Sequence, residues 1–265
     1  MYSDISEQFS IDVFKNGLEH EVSLAHYKAI NDGIKISINN TDVSNYELLI
    51  KSSNELSHIK KQVKIKDVSV TITAGVSTRD YNNGGWYIVC NGRLVSEAEQ
   101  SDLSGWGVDG IRKYHADFAF FRGLVEFEAD DSSKLPWTTT KTGVDKDNNI
   151  YRATLHHMKL AMREIMSYLR ERTSESSDLK KELVDSNPLN LALDNAPLVK
   201  VSNLPVSESL KKPDEVGRHS EPPNINVHYK VPTERLNSAK ESLGVLTATA
   251  VGLETFDYYF KYECE

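Results

Sequence analysis

The sequence predicts an α+β body in two layers, a sheet with helices packed on one face. Three observations carry that expectation. Residues 63–76, VKIKDVSVTITAGV, alternate apolar and polar side chains with the period of a half-buried strand. Residues 86–95, WYIVCNGRLV, place Asn91-Gly92 between two apolar runs, a strong hairpin signal because both turn residues need positive φ. From Tyr151 onward, Leu155, Met158, Met162, Ile165 and Leu169 continue one apolar stripe at helical spacing.

The remaining elements follow in chain order. Residues 14–30 place Phe14, Leu18, Val22, Ala25 and Ala29 on one helical face, with Gly33 as the stop. Residues 34–38, IKISI, alternate as a strand, and YELLI at 46–50 reads as another. Within 63–76 the apolar parity shifts after Ile65, which predicts a bend or bulge near Lys66-Asp67. Residues 123–129 form a further strand. Residues 173–223 turn polar and Pro-containing and read as a linker, partly helical or partly disordered. Residues 224–265 read as a small βαα appendage: a strand over NINVHYKV, a helix from Pro232 to Gly244, and a last helix capped by Thr247 or Thr249 and carrying Phe256, Tyr259 and Phe260.

Composition narrows the function classes. The 265 residues are 39% apolar and 26% charged, enough for a true core. A net charge of −8 argues against broad nucleic-acid binding, which depends on neutralising phosphates. No apolar run reaches the roughly 20 residues a bilayer needs, and the N-terminus shows no signal peptide. Two isolated cysteines, Cys90 and Cys264, form no disulfide framework and no zinc pattern, so a reducing cytoplasm is expected.

Most motif-like stretches dissolve on inspection. GWGVDG matches a dinucleotide fingerprint at Gly105, Gly107 and Gly110 but follows no strand, so a loop is expected. DKDNNI opens like a calcium loop, yet Ile150 and His156 stand where Gly and Glu are required. Its Asp147, Asn148 and Asn149 suit helix capping instead. His156 and His157 are adjacent on a helix and diverge, so no metal site is expected. Lys60, Lys61, Lys64 and Lys66 form a basic run that reads either as strand-edge protection or as a nucleic-acid contact.

One stretch keeps its interest. LPWTTTKTGVD, residues 135–145, brings hydroxyls, a glycine and Lys141 together before a helix. Hydroxyls and backbone N–H groups of such a loop can hold phosphate oxygens, and a lysine delivers a compact positive charge. From the residues alone, a phosphate contact and an ordinary exposed lysine both stand.

Three segments resemble the C-terminal half of GHKL ATPases, the group of gyrase B, MutL, MORC proteins and ninety-kilodalton heat-shock chaperones, especially bacterial ATP-binding members. They are GGWYIVCNGRLVSEAEQSDLSGWG (84–107), FRGLVEFEADDSSKLPWTTTKTGVD (121–145) and GLETFDYYFKYE (252–263). Residues 14–43 resemble that family's domain junction. The resemblance implies a transducer domain over residues 1–172, with about four strands, helices on one face and a left-handed crossover. It implies that Lys141 contacts the γ-phosphate of ATP, with Thr140 and Thr142 supporting the loop. ATP and Mg would then be held only by a separate N-terminal ATP-binding domain or chain, whose motifs do not occur here. The chain is accordingly expected to be half of a machine, not catalytic alone, with a homodimer left open. In the family, the CNGRLV hairpin carries an N-x-R motif, so Asn91 and Arg93 are either structural or close to the interface. The alternatives are a stand-alone nucleic-acid-binding module using Lys60, Lys61, Lys64 and Lys66, and a protein-interaction module docking through the C-terminal aromatics.

Overall fold

The computed structural model describes residues 12–44, 47–218 and 227–264. The chain divides into two units, Met1–His219 and Ser220–Glu265. The α+β class is the one adopted.

The first unit opens with helices α1 (Asp12–Ala25) and α2 (Tyr27–Asn31), the single expected helix broken at His26. Gly33 stops it at φ +104. The strand expected over 34–38 shrinks to β1 (Ser37–Ile38), paired with β2 (Thr41–Asp42), and Ile34 stays exposed. The next strand, β3 (Leu49–Lys51), is shorter than expected, and Tyr46 lies outside the described residues.

The main sheet holds β4 (Ile59–Ile65), β5 (Val68–Val76), β6 (Gly85–Cys90), β7 (Arg93–Glu99) and β8 (Phe121–Glu128), in the order β4-β5-β8-β6-β7. The bend anticipated at Lys66-Asp67 is a complete reversal. Ile65 pairs with Val68 across it, and Lys66 turns at φ +54. Residues paired across a two-residue turn face the same side, which accounts for the parity shift in the sequence. Asn91 and Gly92, at φ +45 and +77, make the second hairpin as expected. Strand β8 then inserts between the hairpins, antiparallel to β5 and parallel to β6.

Helices were expected on one face only, but both faces are covered. On one side Val70, Ile72, Trp86, Ile88, Val125 and Phe127 meet helix α3 (Asn149–Lys180), which lies across β4, β5 and β8. Of its predicted stripe, Tyr151, Met158, Met162, Ile165 and Leu169 are buried and Leu155 is half-buried at the core edge. On the other side Tyr87, Val89, Leu94 and Leu124 pack with Tyr27, Leu48, Ile50, Val201 and Leu204. Residues pointing to alternate faces of the same strands thus build two cores, each worth the roughly 25 cal/mol per Å² of apolar area it removes from water.

The linker reading of residues 173–223 does not hold for the residues described. Helix α3 continues to Lys180, then α4 (Pro188–Asn195) packs on it through buried Leu189, Ala192 and Leu193. Strand β9 (Leu198–Lys200) pairs antiparallel with β3. Polar composition misleads here because the polar groups bond internally. Buried Glu175 accepts from the Leu189 and Asn190 N–H groups at the start of α4, capping it from the neighbouring helix. Beyond β9 the chain runs along the free edge of β4, where Lys60 and Ser207 exchange backbone hydrogen bonds.

His58 pins this strap. Its Nε2–H donates to the Pro205 carbonyl at 2.8 Å, which leaves Nδ1 to accept from the Ser52 hydroxyl at 3.1 Å. Burial holds its pKa below the ordinary histidine value, and the nearby Lys60 charge acts the same way. The unfolded chain therefore takes up the proton first. The stability His58 contributes is complete above the unfolded histidine pKa and is lost as pH falls toward the folded value. Amide exchange at Ser207, taken relative to β5, is expected to accelerate as pH drops through the ordinary histidine range. His58→Gln should abolish that acceleration; an equal pH dependence in the variant would contradict the assignment.

The second unit contains α5 (Thr233–Leu243) and α6 (Ala248–Glu263). Gly244 ends α5 at φ +68, and Thr247 caps α6 by accepting from the Ala250 N–H at 3.1 Å. The expected strand is absent among the described residues, since 227–232 carry no regular structure and Ile225 lies outside them. Val227, Tyr229 and Val231 are exposed, so the alternation has no core face to bury.

Candidate functional site

The site lies between β8 and α3. Leu135 is buried in the main core, and Trp137 and Val144 pack against its edge while bridging each other. Thr138 N–H donates to the Gly143 carbonyl at 2.9 Å, and Asp145 N–H to the Pro136 carbonyl at 3.0 Å. Residues 136–145 therefore form a miniature hairpin with an anchored base. Its tip, Thr139 to Thr142, is exposed.

Lys141 occupies the turn at φ +57, a left-handed conformation that costs a lysine about 1 kcal/mol. Its N–H donates to the Thr138 carbonyl at 2.8 Å. Its own carbonyl accepts from Arg93 Nε at 3.1 Å. Both backbone polar groups are thus engaged, and the side chain alone is left to move. The ammonium sits 4.5 Å from the centre of the Trp137 ring. Among the described residues no carboxylate forms an ion pair with it. Beside it the hydroxyls of Thr138, Thr140 and Thr142 form a file, 3.1 and 2.8 Å apart.

The base of the loop leads into α3, whose first N–H groups are capped by Asn148 Oδ1, 2.8 Å from the Ile150 nitrogen. Asn148 is the one residue of the expected capping cluster whose side chain caps α3. Asn91 is structural: its side-chain amide exchanges hydrogen bonds with the Ala129 backbone, extending the join between the β6–β7 turn and β8. Arg93 belongs to the loop, and neither its contact nor that of Trp137 was assigned from the sequence. Trp137 had one local signal, its place four residues before the lysine. Arg93 had none for this pairing, because its partner lies 48 positions away.

The other candidates are placed apart. Lys60 Nζ donates to the Val201 and Leu204 carbonyls at 3.2 and 2.8 Å, binding the strap. Lys61 lies on the opposite side of the strand and pairs with Glu208 at 3.8 Å. Lys64 and Lys66 are exposed. The basic run is thus divided between two faces and a turn, and half of it is spent internally.

Gly105, Gly107 and Gly110 all sit at positive φ in an irregular loop beside a 490 Å³ cavity lined in part by Tyr81, Ser101 and Tyr114. A second cavity of 430 Å³ lies along Leu210–Glu215, and neither includes Lys141. No group of three His, Cys, Asp or Glu residues able to hold a metal occurs among the described residues. Cys90 is buried, and burial pushes its thiol up to about 12, out of reach of ordinary nucleophilic chemistry. No helix among the described residues is long and apolar enough to cross a membrane.

Compared with known proteins, the chain matches no protein-family model and no curated protein.

Proposed function

We propose that this chain is the transducer module of a GHKL-type ATPase, and that Lys141 senses the γ-phosphate of ATP held by a separate ATP-binding domain. The observation that carries the reading is an exposed lysine with a fixed backbone and no carboxylate partner among the described residues, at the tip of a hairpin joining the central strand to the longest helix. A charge so placed is open to an anion presented from outside the chain. The loop offers one ammonium and four threonine hydroxyls, three of them in one file, which suit phosphate oxygens. When bound, ATP with Mg supplies the phosphoryl chemistry, and the partner domain would hold both.

Coupling follows from where the loop is anchored. An anion that engages Lys141 gains its contact only when the hairpin is correctly placed against the partner. Nucleotide state therefore biases the angle between the two domains. The hairpin base joins α3 within a few residues, so a shift of the loop is passed to the helix that covers the sheet.

The purified chain alone is expected to hydrolyse no ATP, whereas the chain joined to a GHKL-type ATP-binding domain should support turnover that depends on Lys141. Robust hydrolysis by the isolated chain, abolished in Lys141→Ala, would overturn the division of labour proposed here.

A further inference from the structure

We propose that Trp137 is a resting position for the Lys141 ammonium, from which a multivalent phosphate draws it. The idea rests on the transducer reading of the loop and adds to it a built-in off state.

Four observations lead there. The Lys141 ammonium lies 4.5 Å from the centre of the Trp137 ring, within the range of a cation–π contact. The ring cannot follow the lysine, because Trp137 is bridged to Val144 and packs on the core edge. The lysine backbone cannot follow the ammonium either, since Thr138 holds its N–H and Arg93 its carbonyl. The threonine hydroxyl file marks where phosphate oxygens would be received on the same tip. Switching therefore needs only side-chain rotation about a rigid frame.

The chemistry sets the direction of the switch. A half-exposed cation–π contact is weak, whereas an ammonium meeting a polyphosphate gains charge-assisted hydrogen bonds. The resting contact yields to a multivalent phosphate. In this scheme Arg93 holds the Lys141 carbonyl in place.

The test uses the full chain and inorganic tripolyphosphate. Trp86 and Trp106 are buried, so a change of indole emission on titration reports Trp137, with Trp137→Phe as the blank. In the wild type, emission is expected to change with saturation, and the ε-methylene protons of Lys141 should lose their upfield ring-current shift. Lys141→Ala should abolish the response. Trp137→Leu, which keeps apolar bulk at the hairpin base and is titrated by calorimetry because it lacks the reporting indole, should bind tripolyphosphate about two- to fivefold more tightly, the equilibrium value of the contact it removes. Should that variant fold poorly, the ring-current measurement on the wild type decides alone. If Lys141→Ala abolishes binding but Trp137→Leu binds no more tightly, the resting position is wrong and the phosphate role of Lys141 stands. If emission and ring-current shift are both indifferent to tripolyphosphate, this inference falls by itself, because turnover with the ATP-binding domain decides the transducer reading separately.

Discussion

Trp86→Ala is expected to cost the first unit about 3–5 kcal/mol of unfolding free energy, the usual penalty for emptying a large aromatic site in a close-packed core. Trp86 is fully buried on β6, and its ring meets Phe121 edge-on at 5.4 Å between centroids. It lies directly over Gly123 on the neighbouring strand, where an added Cβ would stand 2.4 Å from the indole. The glycine and the tryptophan are therefore one device, and the sheet can tolerate the bulky ring only because its partner has no side chain. Gly123→Ala should cost about 1–3 kcal/mol through overpacking.

The indole N–H of Trp86 has no hydrogen-bond partner among the described residues. Trp86→Phe removes that orphan donor while keeping most of the ring, so its cost should be about 1–2 kcal/mol, well below that of alanine. Urea unfolding followed by tryptophan emission measures these differences, since all three tryptophans lie in the first unit. A midpoint for Trp86→Ala equal to wild type, at unchanged m-value, would refute the pairing.

Lys141→Ala is expected to lower ATP turnover of the assembled two-domain system by roughly a hundred- to a thousandfold, the scale found when one preorganised donor to a developing charge is removed. The chain itself should lose at most about 1 kcal/mol of stability, the value of the exposed contact with Trp137. Lys141 is exposed and forms no ion pair among the described residues, and alanine at φ +57 carries the same left-handed strain as lysine. Lys141→Gly would relieve that strain and is the poorer control. Lys141→Arg retains charge but exchanges a point charge for a planar fork, so it should recover only part of the rate. Turnover within twofold of wild type in Lys141→Ala, with the two domains demonstrably joined, would remove the γ-phosphate role.

The candidate site was partly legible. Lys141, Thr140 and Thr142 stood out because hydroxyls, glycine and lysine cluster within a few positions. What fixes Lys141 did not stand out. Arg93 reaches it from another hairpin, and Trp137 comes beneath it only because the chain folds back at Thr138–Gly143. The segment after α3 misled for a related reason. Pro188 with Leu189, Ala192, Leu193 and Ala196 carries a helix signal at the right spacing, but its polar surroundings obscured it. Those polar groups are internal caps and ties, which composition cannot distinguish from solvated ones.

The sequence by itself determined the elements whose physics is local: the long helix and its apolar stripe, the Asn91-Gly92 turn, a cap among Asp147, Asn148 and Asn149, a cap at Thr247 or Thr249, and the glycine stops. Each depends on atoms only a few residues apart. The tertiary structure alone decided that β8 enters between the two hairpins parallel to β6, that β3 finds β9, and that Gly123 faces Trp86. Strand pairing over such separations is chosen by which register buries both faces of the sheet at once. That is a property of the assembled layers, and no single strand's pattern contains it.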